Sequence, residues 1–183
     1  MTALALITEV MLQSGAESAT VAAEGSGWAG AVLVAVIILG LVTLNGLYVA
    51  AEFALVGVSK ASIDAAADEG HVGAQRVQSI LEHPRDQDQY IAATQLGVTF
   101  ASLGLGMYGE QTLAGAMAEH LFHGLGETGF WSAHLVASAF AIAFLTYLHV
   151  VLGEMVPKSV ALARPNSAVF FTYPVAITTR FFL

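Results

Sequence analysis

Three long apolar stretches restrict this chain to one kind of fold. They run from about Trp28 to Val58, from about Tyr90 to Met107 and from about Trp131 to Leu152. A helix that crosses a bilayer needs roughly 17–25 mostly apolar residues, and each stretch reaches that length. Charged residues make up only 11% of the chain, against about 25% in a soluble domain. The sequence therefore predicts an all-α membrane protein with three transmembrane helices.

Two apolar segments depart from the pattern of a simple span. The first stretch is longer than a bilayer requires. We expect it to break at Asn45-Gly46, because asparagine and glycine are poor helix formers. A fourth segment, from Ala168 to Leu183, is interrupted by Pro174. We interpret that segment as an interfacial or juxtamembrane helix and not as a fourth span.

The cations of the chain predict its orientation. Three lie between the first two stretches and three follow the third: Lys60, Arg76, Arg85, Lys158, Arg164 and Arg180. Basic residues concentrate on the cytoplasmic side of membrane proteins. The N-terminal tail, residues 1–28, is therefore predicted to be extracellular, and the C-terminus cytoplasmic. The cytoplasmic connection, about residues 59–89, mixes apolar and polar positions, which favours one or two short amphipathic helices, with a solvated linker as the alternative.

Charge and motifs exclude several function classes. The net charge of −8 disfavours a nucleic-acid partner and is compatible with the attraction of cations. The absence of cysteine excludes disulfides and thiolate metal sites. No nucleophile–base pair, HExxH motif or phosphate loop is present, so the sequence does not indicate an enzyme. His120 and His123 form only a weak transition-metal pattern, because such spacing often arises by chance.

Polar residues inside the predicted spans are candidate functional groups, because a charge near the bilayer centre costs at least about 2.5–3.5 kcal/mol. The first stretch contains Asn45 and Glu52, and the third contains Thr146, His149 and Glu154. The second contains Thr94 and a set of three residues spaced at i, i+4 and i+7: Gln95, Thr99 and Ser102. Spacings of seven, or of four and then three, put side chains on one helical face. We interpret His149 as a hydrogen-bonded core residue.

The sharpest local pattern is Gly153-Glu-Met-Val-Pro-Lys158, at the end of the third stretch. Pro157 has no N–H and clashes with the carbonyl four residues earlier, which belongs to Gly153. A freed backbone oxygen would then lie beside the Glu154 carboxylate, and Mg²⁺ prefers oxygen ligands of this kind. The alternative is that Pro157 only ends the helix and that Glu154 pairs with Lys158 at i, i+4.

Three blocks, in a fixed order, carry a family resemblance. They read Asn45-Gly-Leu-Tyr-Val-Ala-Ala-Glu52-Phe-Ala, Tyr90-Ile-Ala-Ala-Thr-Gln-Leu-Gly97-Val-Thr-Phe-Ala-Ser-Leu-Gly104-Leu-Gly and Gly153-Glu-Met-Val-Pro-Lys158. Together they resemble the transmembrane domain of the CorC/CNNM family of magnesium transporters. The similarity runs from about Ala31 to Ala163, and the Thr-Gln-Leu-Gly of the second block is typical of the hemolysin-like branch.

The resemblance implies a divalent-cation transporter domain, chiefly for Mg²⁺, in a bacterial-type plasma membrane. It implies a homodimer with a juxtamembrane helical belt, in which residues 29–165 form the transmembrane domain. Residues 166–183 would lead to a cytosolic CBS-domain pair that binds nucleotide. Family members are described as Na⁺-dependent Mg²⁺ exporters, so Mg²⁺ is the expected cargo and Na⁺ the coupling ion. The rival hypothesis is a membrane anchor and cation sensor that regulates other transporters without moving ions.

The resemblance also assigns site residues. Glu154 matches the family's third-span glutamate, and it is expected to bind the cation together with the Gly153 carbonyl. This chain has Val49-Ala-Ala where the family commonly has a serine, and Val98-Thr99 where many members have Asn-Asn. Gln95, Thr99 and backbone oxygens near Gly97 are expected to substitute for the missing ligands. The remaining assignments are an ion pathway or coupling site of Asn45, Glu52, Thr94 and Ser102, helix breaks at Gly46 and Pro157, and a cytoplasmic-end charge at Lys158.

Overall fold

The computed structural model describes residues 27–121 and 127–180, and every regular element in these ranges is a helix. The helices are α1 (Gly27–Gly57), α2 (Lys60–Asp68), α3 (Val72–Glu82), α4 (Pro84–Leu121), α5 (Glu127–Leu148), α6 (Val156–Ala163) and α7 (Pro165–Arg180), and a π-helical segment (His149–Met155) joins α5 to α6. The predicted N-terminal tail falls almost wholly on residues before Gly27. His123 and the side chain of His120 also lie outside the described part of the chain.

Three helical segments are long and apolar enough to cross a membrane: Trp28–Gly57, Pro84–Leu113 and Leu135–Ala163. The prediction of an all-α protein with three spans is confirmed. The first segment matches the predicted stretch to within one residue. The second begins earlier than predicted and the third ends later, because the helices continue through polar residues that a search for apolar runs leaves out.

Helix α1 passes through Asn45 and Gly46 without interruption, so the predicted break there is wrong. Both residues are buried. Gly46 lies against the ring of Pro157, where an added Cβ would come within 2.8 Å of Cγ. This close contact between helices offsets the poor helix propensity of glycine, which costs about 1 kcal/mol relative to alanine.

The chain divides into two compact units, and the first comprises the described residues of Met1–Gly40 and Leu105–Leu145. Within it Gly109 of α4 packs against Leu145 of α5. Several large apolar side chains of this unit are exposed, including Trp28, Val36, Leu135 and Phe140. Exposed apolar surface of this kind is typical of faces that meet lipid or other helices.

The second unit comprises Leu41–Gly104 and Thr146–Leu183. Two short helices, α2 and α3, occupy the predicted connection between the first two spans, and we call them the helical hairpin. The core of this unit joins the hairpin to α1, α4, α6 and α7 through Ala51, Ala54, Leu55, Ile63, Ala67, Ala74, Val77, Ile80, Tyr90, Ala161, Val169 and Ala176. Most of these side chains are small, so the helices approach closely.

The hairpin turns at Gly70, whose φ of 86° is in the left-handed region that favours glycine. The next residue, His71, is the N-cap of α3, and its Nδ1 accepts a hydrogen bond from the backbone N–H of Ala74. The His71 ring also stacks on Phe170 of α7, with 4.7 Å between ring centroids. The turn of the hairpin is therefore held against α7.

Tyr48 of α1 contacts two other helices of this unit. Its ring lies on Gly97 of α4, where an added Cβ would come within 2.5 Å of the ring atoms. Its hydroxyl lies 2.7 Å from Oγ1 of Thr179, near the end of α7, and the two hydroxyls share a hydrogen bond. One side chain therefore connects α1, α4 and α7.

Candidate functional site

A chain of hydrogen bonds connects α1, α4 and the π-helical segment. Nδ2 of Asn45 donates to the carbonyl oxygen of Gly153 at 2.9 Å. Oδ1 of Asn45 accepts from the hydroxyl of Ser102 at 3.2 Å, and Oγ of Ser102 lies 3.1 Å from Nε2 of His149. Asn45 is buried, whereas Ser102 and His149 are half-buried. We call these four residues the polar chain.

The donor and acceptor groups of the polar chain determine the direction in which its hydrogen bonds are donated. The Gly153 carbonyl can only accept, so the nitrogen of the Asn45 amide must face it. The amide oxygen then faces Ser102 and takes its single hydroxyl proton. Nε2 of His149 must therefore carry a proton and donate it to Oγ of Ser102. Hydrogen bonds are donated in one direction along the chain, from His149 to Gly153.

The π-helical segment places Gly153 against α1. The wider turn is visible at its end, where the N–H of Val156 bonds to the carbonyl of Val151, five residues earlier. Pro157, in the first turn of α6, supplies no N–H to the carbonyl four residues before it. That carbonyl, of Gly153, instead accepts from the side chain of Asn45. An added Cβ on Gly153 would come within 3.1 Å of both Asn45 and His149, so the glycine permits this approach.

The alternative interpretation of the third span, in which Pro157 ends the helix and Glu154 pairs with Lys158, does not match the structure. The helix continues through Pro157 as α6, and its distortion is confined to the π-helical segment. No ion pair among the described residues includes Glu154, whose side chain is exposed. The Lys158 ammonium lies 4.3 Å from the ring centroid of Phe53 in α1.

Only part of the predicted polar face of the second span contacts the polar chain. Ser102 belongs to it, whereas Gln95 and Thr99 are exposed. The Thr99 hydroxyl donates to the backbone carbonyl of Gln95, at 2.8 Å. Thr94 is buried, and its hydroxyl donates to the carbonyl of Ile91, also within α4. The structure therefore brings Ser102 to Asn45 but does not bring Gln95, Thr99 or Thr94.

Two other predicted residues take different places. Gly97 was expected to offer backbone oxygens, and the structure shows that its missing side chain makes room for the Tyr48 ring. Glu52 is half-buried on α1, and no ion pair among the described residues includes it. Within the described ranges, no three His, Cys, Asp or Glu side chains are grouped to hold a metal ion.

The polar chain offers neutral oxygen atoms in place of such a cluster. The Gly153 carbonyl, the Asn45 amide oxygen and the Ser102 hydroxyl are hard ligands of the kind that Mg²⁺ and Ca²⁺ prefer. The Glu154 carboxylate follows Gly153 directly in the sequence. The polar chain therefore contains the ligand type of hard cations and no sulfur atom of the kind that soft metals require.

Sequence reasoning left His149 out of the candidate site. Its expected role as a hydrogen-bonded residue agrees with the bond to Ser102. A signal that could have linked it to the site is its spacing from Gly153. The two are four residues apart, which places them on one helical face about one turn apart.

Comparison with known proteins adds a family relationship. The sequence profile of the family described as the Cyclin M transmembrane N-terminal domain matches residues 36–183. The UPF0053 protein YhdP of Bacillus subtilis is 37% identical over 141 residues, which are 76% of this chain and 31% of the relative. The UPF0053 protein YhdT of the same organism is 39% identical over 124 residues, 68% of this chain and 26% of the relative. An uncharacterized protein of Mycobacterium tuberculosis is 33% identical over 144 residues, 79% of this chain and 38% of the relative. The chain spans about a third of the length of these relatives.

Proposed function

Because the chain belongs to the Cyclin M transmembrane N-terminal domain family, we propose that it is the membrane domain of a transporter for Mg²⁺. The observation that carries this proposal is the polar chain, in which oxygen atoms from three helical segments of the second unit converge. Buried polar groups in a membrane protein are costly and usually serve substrates or ions. Oxygen atoms without sulfur ligands favour a hard divalent cation as the cargo.

Glu154 supplies the negative charge that the polar chain lacks. In our proposal, its carboxylate and the Gly153 carbonyl capture Mg²⁺, and Asn45 and Ser102 line the pathway. Glu52, half-buried on α1, is the candidate for the coupling-ion site. Gln95 and Thr99 are exposed in this conformation, so they are assigned to another step of the transport cycle.

The wider transport mechanism follows from the family resemblance. In our proposal, a Na⁺ gradient drives Mg²⁺ export by alternating access, as broken or distorted helices allow in other transporters. A homodimer in the plasma membrane is the proposed assembly, with the C-terminus cytoplasmic and followed in the full-length protein by a nucleotide-binding CBS pair. A reporter fused after Leu183 tests the orientation, and an extracellular signal would contradict it.

Flux in liposomes that contain only this protein tests the proposal. A Mg²⁺-sensitive dye inside the vesicles should respond when Mg²⁺ and an opposing Na⁺ gradient are applied. Glu154→Gln should abolish the response. Glu110→Gln, which removes a carboxylate of α4 outside the polar chain, is the control and should retain it. Equal flux by wild type and Glu154→Gln would overturn the assignment of Glu154, and absence of both flux and Mg²⁺ binding would overturn the function.

The rival function is a membrane anchor and cation sensor that regulates other transporters. It gains support from Glu154, which is exposed and forms no ion pair within the described part of the chain. A sensor needs a binding site but no continuous pathway. Calorimetry and the liposome experiment together separate the two functions, because both bind Mg²⁺ but only a transporter produces flux.

A further inference from the structure

The separation of Asn45 from Gly153 matches two neighbouring oxygen ligands of Mg²⁺. Mg²⁺ demands octahedral geometry with bonds of about 2.0–2.1 Å, so two adjacent ligands lie about 2.9 Å apart, the bond length multiplied by the square root of two. Nδ2 of Asn45 lies 2.9 Å from the Gly153 carbonyl oxygen. This is also the ordinary length of an N–H···O hydrogen bond, so an amide oxygen turned into the place of the nitrogen would have the spacing of a Mg²⁺ ligand pair.

The amide group of Asn45 can exchange its two ends in place. Oxygen and nitrogen of a side-chain amide have nearly the same size, and the terminal torsion of asparagine is soft and roughly two-fold. A half-turn of this torsion would put Oδ1 beside the Gly153 carbonyl and Nδ2 beside Ser102. No helix has to move for this exchange.

We propose that the Asn45 amide is a gate that closes the Gly153 carbonyl when Mg²⁺ is absent and turns over when Mg²⁺ binds. This inference rests on the proposed function. Without a cation, two oxygens at 2.9 Å repel each other, so the empty site keeps the nitrogen against Gly153. With Mg²⁺ bound, the N–H would point at the cation, so the oxygen replaces it. Each orientation is therefore stable in only one state.

Turning over Asn45 reverses the whole polar chain. Nδ2 carries hydrogens, so Ser102 must accept from it, and the single Ser102 proton must turn toward Nε2 of His149. Nε2 can accept that bond only without its own proton. For a neutral imidazole, Nε2 gives up one proton to water while Nδ1 takes up one from water, and the two transfers balance. His149 is a positioning residue that holds each orientation of Asn45 through Ser102.

NMR of the chain in lipid nanodiscs tests the gate. With ¹⁵N- and ¹³C-labelled histidine, ring shifts distinguish a proton on Nε2 from a proton on Nδ1, and the signal lost in His149→Gln identifies the residue. We expect His149 to change from the Nε2–H to the Nδ1–H form as Mg²⁺ is added, with the midpoint of Mg²⁺ binding measured by calorimetry.

Two variants of Ser102 test whether this residue transmits the orientation of the Asn45 amide to the tautomer of His149. In Ser102→Ala the His149 tautomer should no longer respond, even at Mg²⁺ concentrations that saturate this variant in its own calorimetric titration. Ser102→Thr keeps a hydroxyl and should restore the response.

The outcomes separate this inference from the proposed function. Mg²⁺ binding with an unchanged His149 tautomer would overturn the gate and leave the transporter proposal intact. A response that persists in Ser102→Ala would also overturn the gate, because the signal would then bypass Ser102. Absence of Mg²⁺ binding by the wild type would overturn the proposed function and the gate together.

Discussion

The side chain of Asn45 and the backbone carbonyl of Gly153, 108 positions apart in the sequence, are joined by a 2.9 Å hydrogen bond. The proline of the third span withholds a backbone donor, and a side chain of the first span replaces it. A defect in one helix is therefore satisfied by a polar residue in another. The hydrogen bond between Asn45 and Gly153 therefore contributes to the stability of the fold, and the same two residues are proposed to act in transport.

Asn45→Leu should destabilise the protein by about 1–2 kcal/mol. The substitution keeps the branched shape of the side chain, with larger methyl groups in place of the amide oxygen and nitrogen. It leaves the buried Gly153 carbonyl without its donor, and hydrogen bonds between membrane helices contribute at this scale. Unfolding in detergent measures the effect. Thr99→Val is the control, because that exposed hydroxyl bonds only within α4. Equal stability of the two variants would show that the Asn45 bond adds nothing.

Gly46→Ala should destabilise the protein by about 1–3 kcal/mol, because overpacking forces neighbours to shift. The new methyl group would come within 2.8 Å of the Pro157 ring. Gly40→Ala is a matched control in the same helix, since a Cβ there meets nothing within 4 Å. That control should be neutral or gain about 0.5–1 kcal/mol from helix propensity. Similar stabilities for both variants would contradict the close contact between Gly46 and Pro157.

Phe53 and Lys158 should be coupled in a double-mutant cycle. The Lys158 ammonium lies 4.3 Å from the centroid of the Phe53 ring, within the range of a cation–π interaction. Phe53→Leu removes the aromatic face, and Lys158→Met removes the charge while keeping most of the stem. We expect a coupling energy of about 0.5–2 kcal/mol, measured from the unfolding of both single variants and the double variant. Additive effects would mean that the contact is not energetically significant.

The helical hairpin should lose stability in acid through Asp64. Gln78 and Lys60 donate hydrogen bonds to its carboxylate at 2.8 and 3.0 Å. These two bonds, that of Gln78 first, lower the pKa of Asp64 below its ordinary value of 3.8. Because the folded pKa is the lower one, the stabilisation is present above the unfolded pKa and is lost as the pH falls through the folded pKa.

Urea unfolding of wild type and Asp64→Asn measures this dependence. The variant should be less stable at a pH of about 6, and the difference should shrink at about pH 3, where carboxylates become protonated. Asp68→Asn, which removes an exposed acid from the same helix, controls for the change in net charge. A difference between wild type and Asp64→Asn that does not vary with pH would contradict the role of the ionised carboxylate.

The sequence predicts the spans well because an apolar run is a local property. The first stretch, Trp28 to Val58, agrees with the helix to one residue. The polar start of α4 was missed, since a helix continues through charged residues once its hydrogen bonds are formed. The predicted break at Gly46 failed for the opposite reason. A contact with Pro157, which is remote in sequence, stabilises a glycine that local propensity disfavours.

The candidate site was predicted only in part. Spacing correctly places Ser102 on one face with Gln95 and Thr99, but it does not show how far along that face the neighbouring helix reaches. Only Ser102 meets Asn45. The π-helical segment depends on Pro157 together with a donor from α1, and no pattern within the third span contains that donor.

Tyr48 sets a mechanical limit on the second unit. Rooted in α1, its ring rests on Gly97 and its hydroxyl is bonded to Thr179 near the end of α7. An aromatic ring is rigid, so it holds its hydroxyl at a fixed distance from the Gly97 side of the ring. Any pull that draws the end of α7 away from α1 must therefore break one hydrogen bond or slide the ring off Gly97.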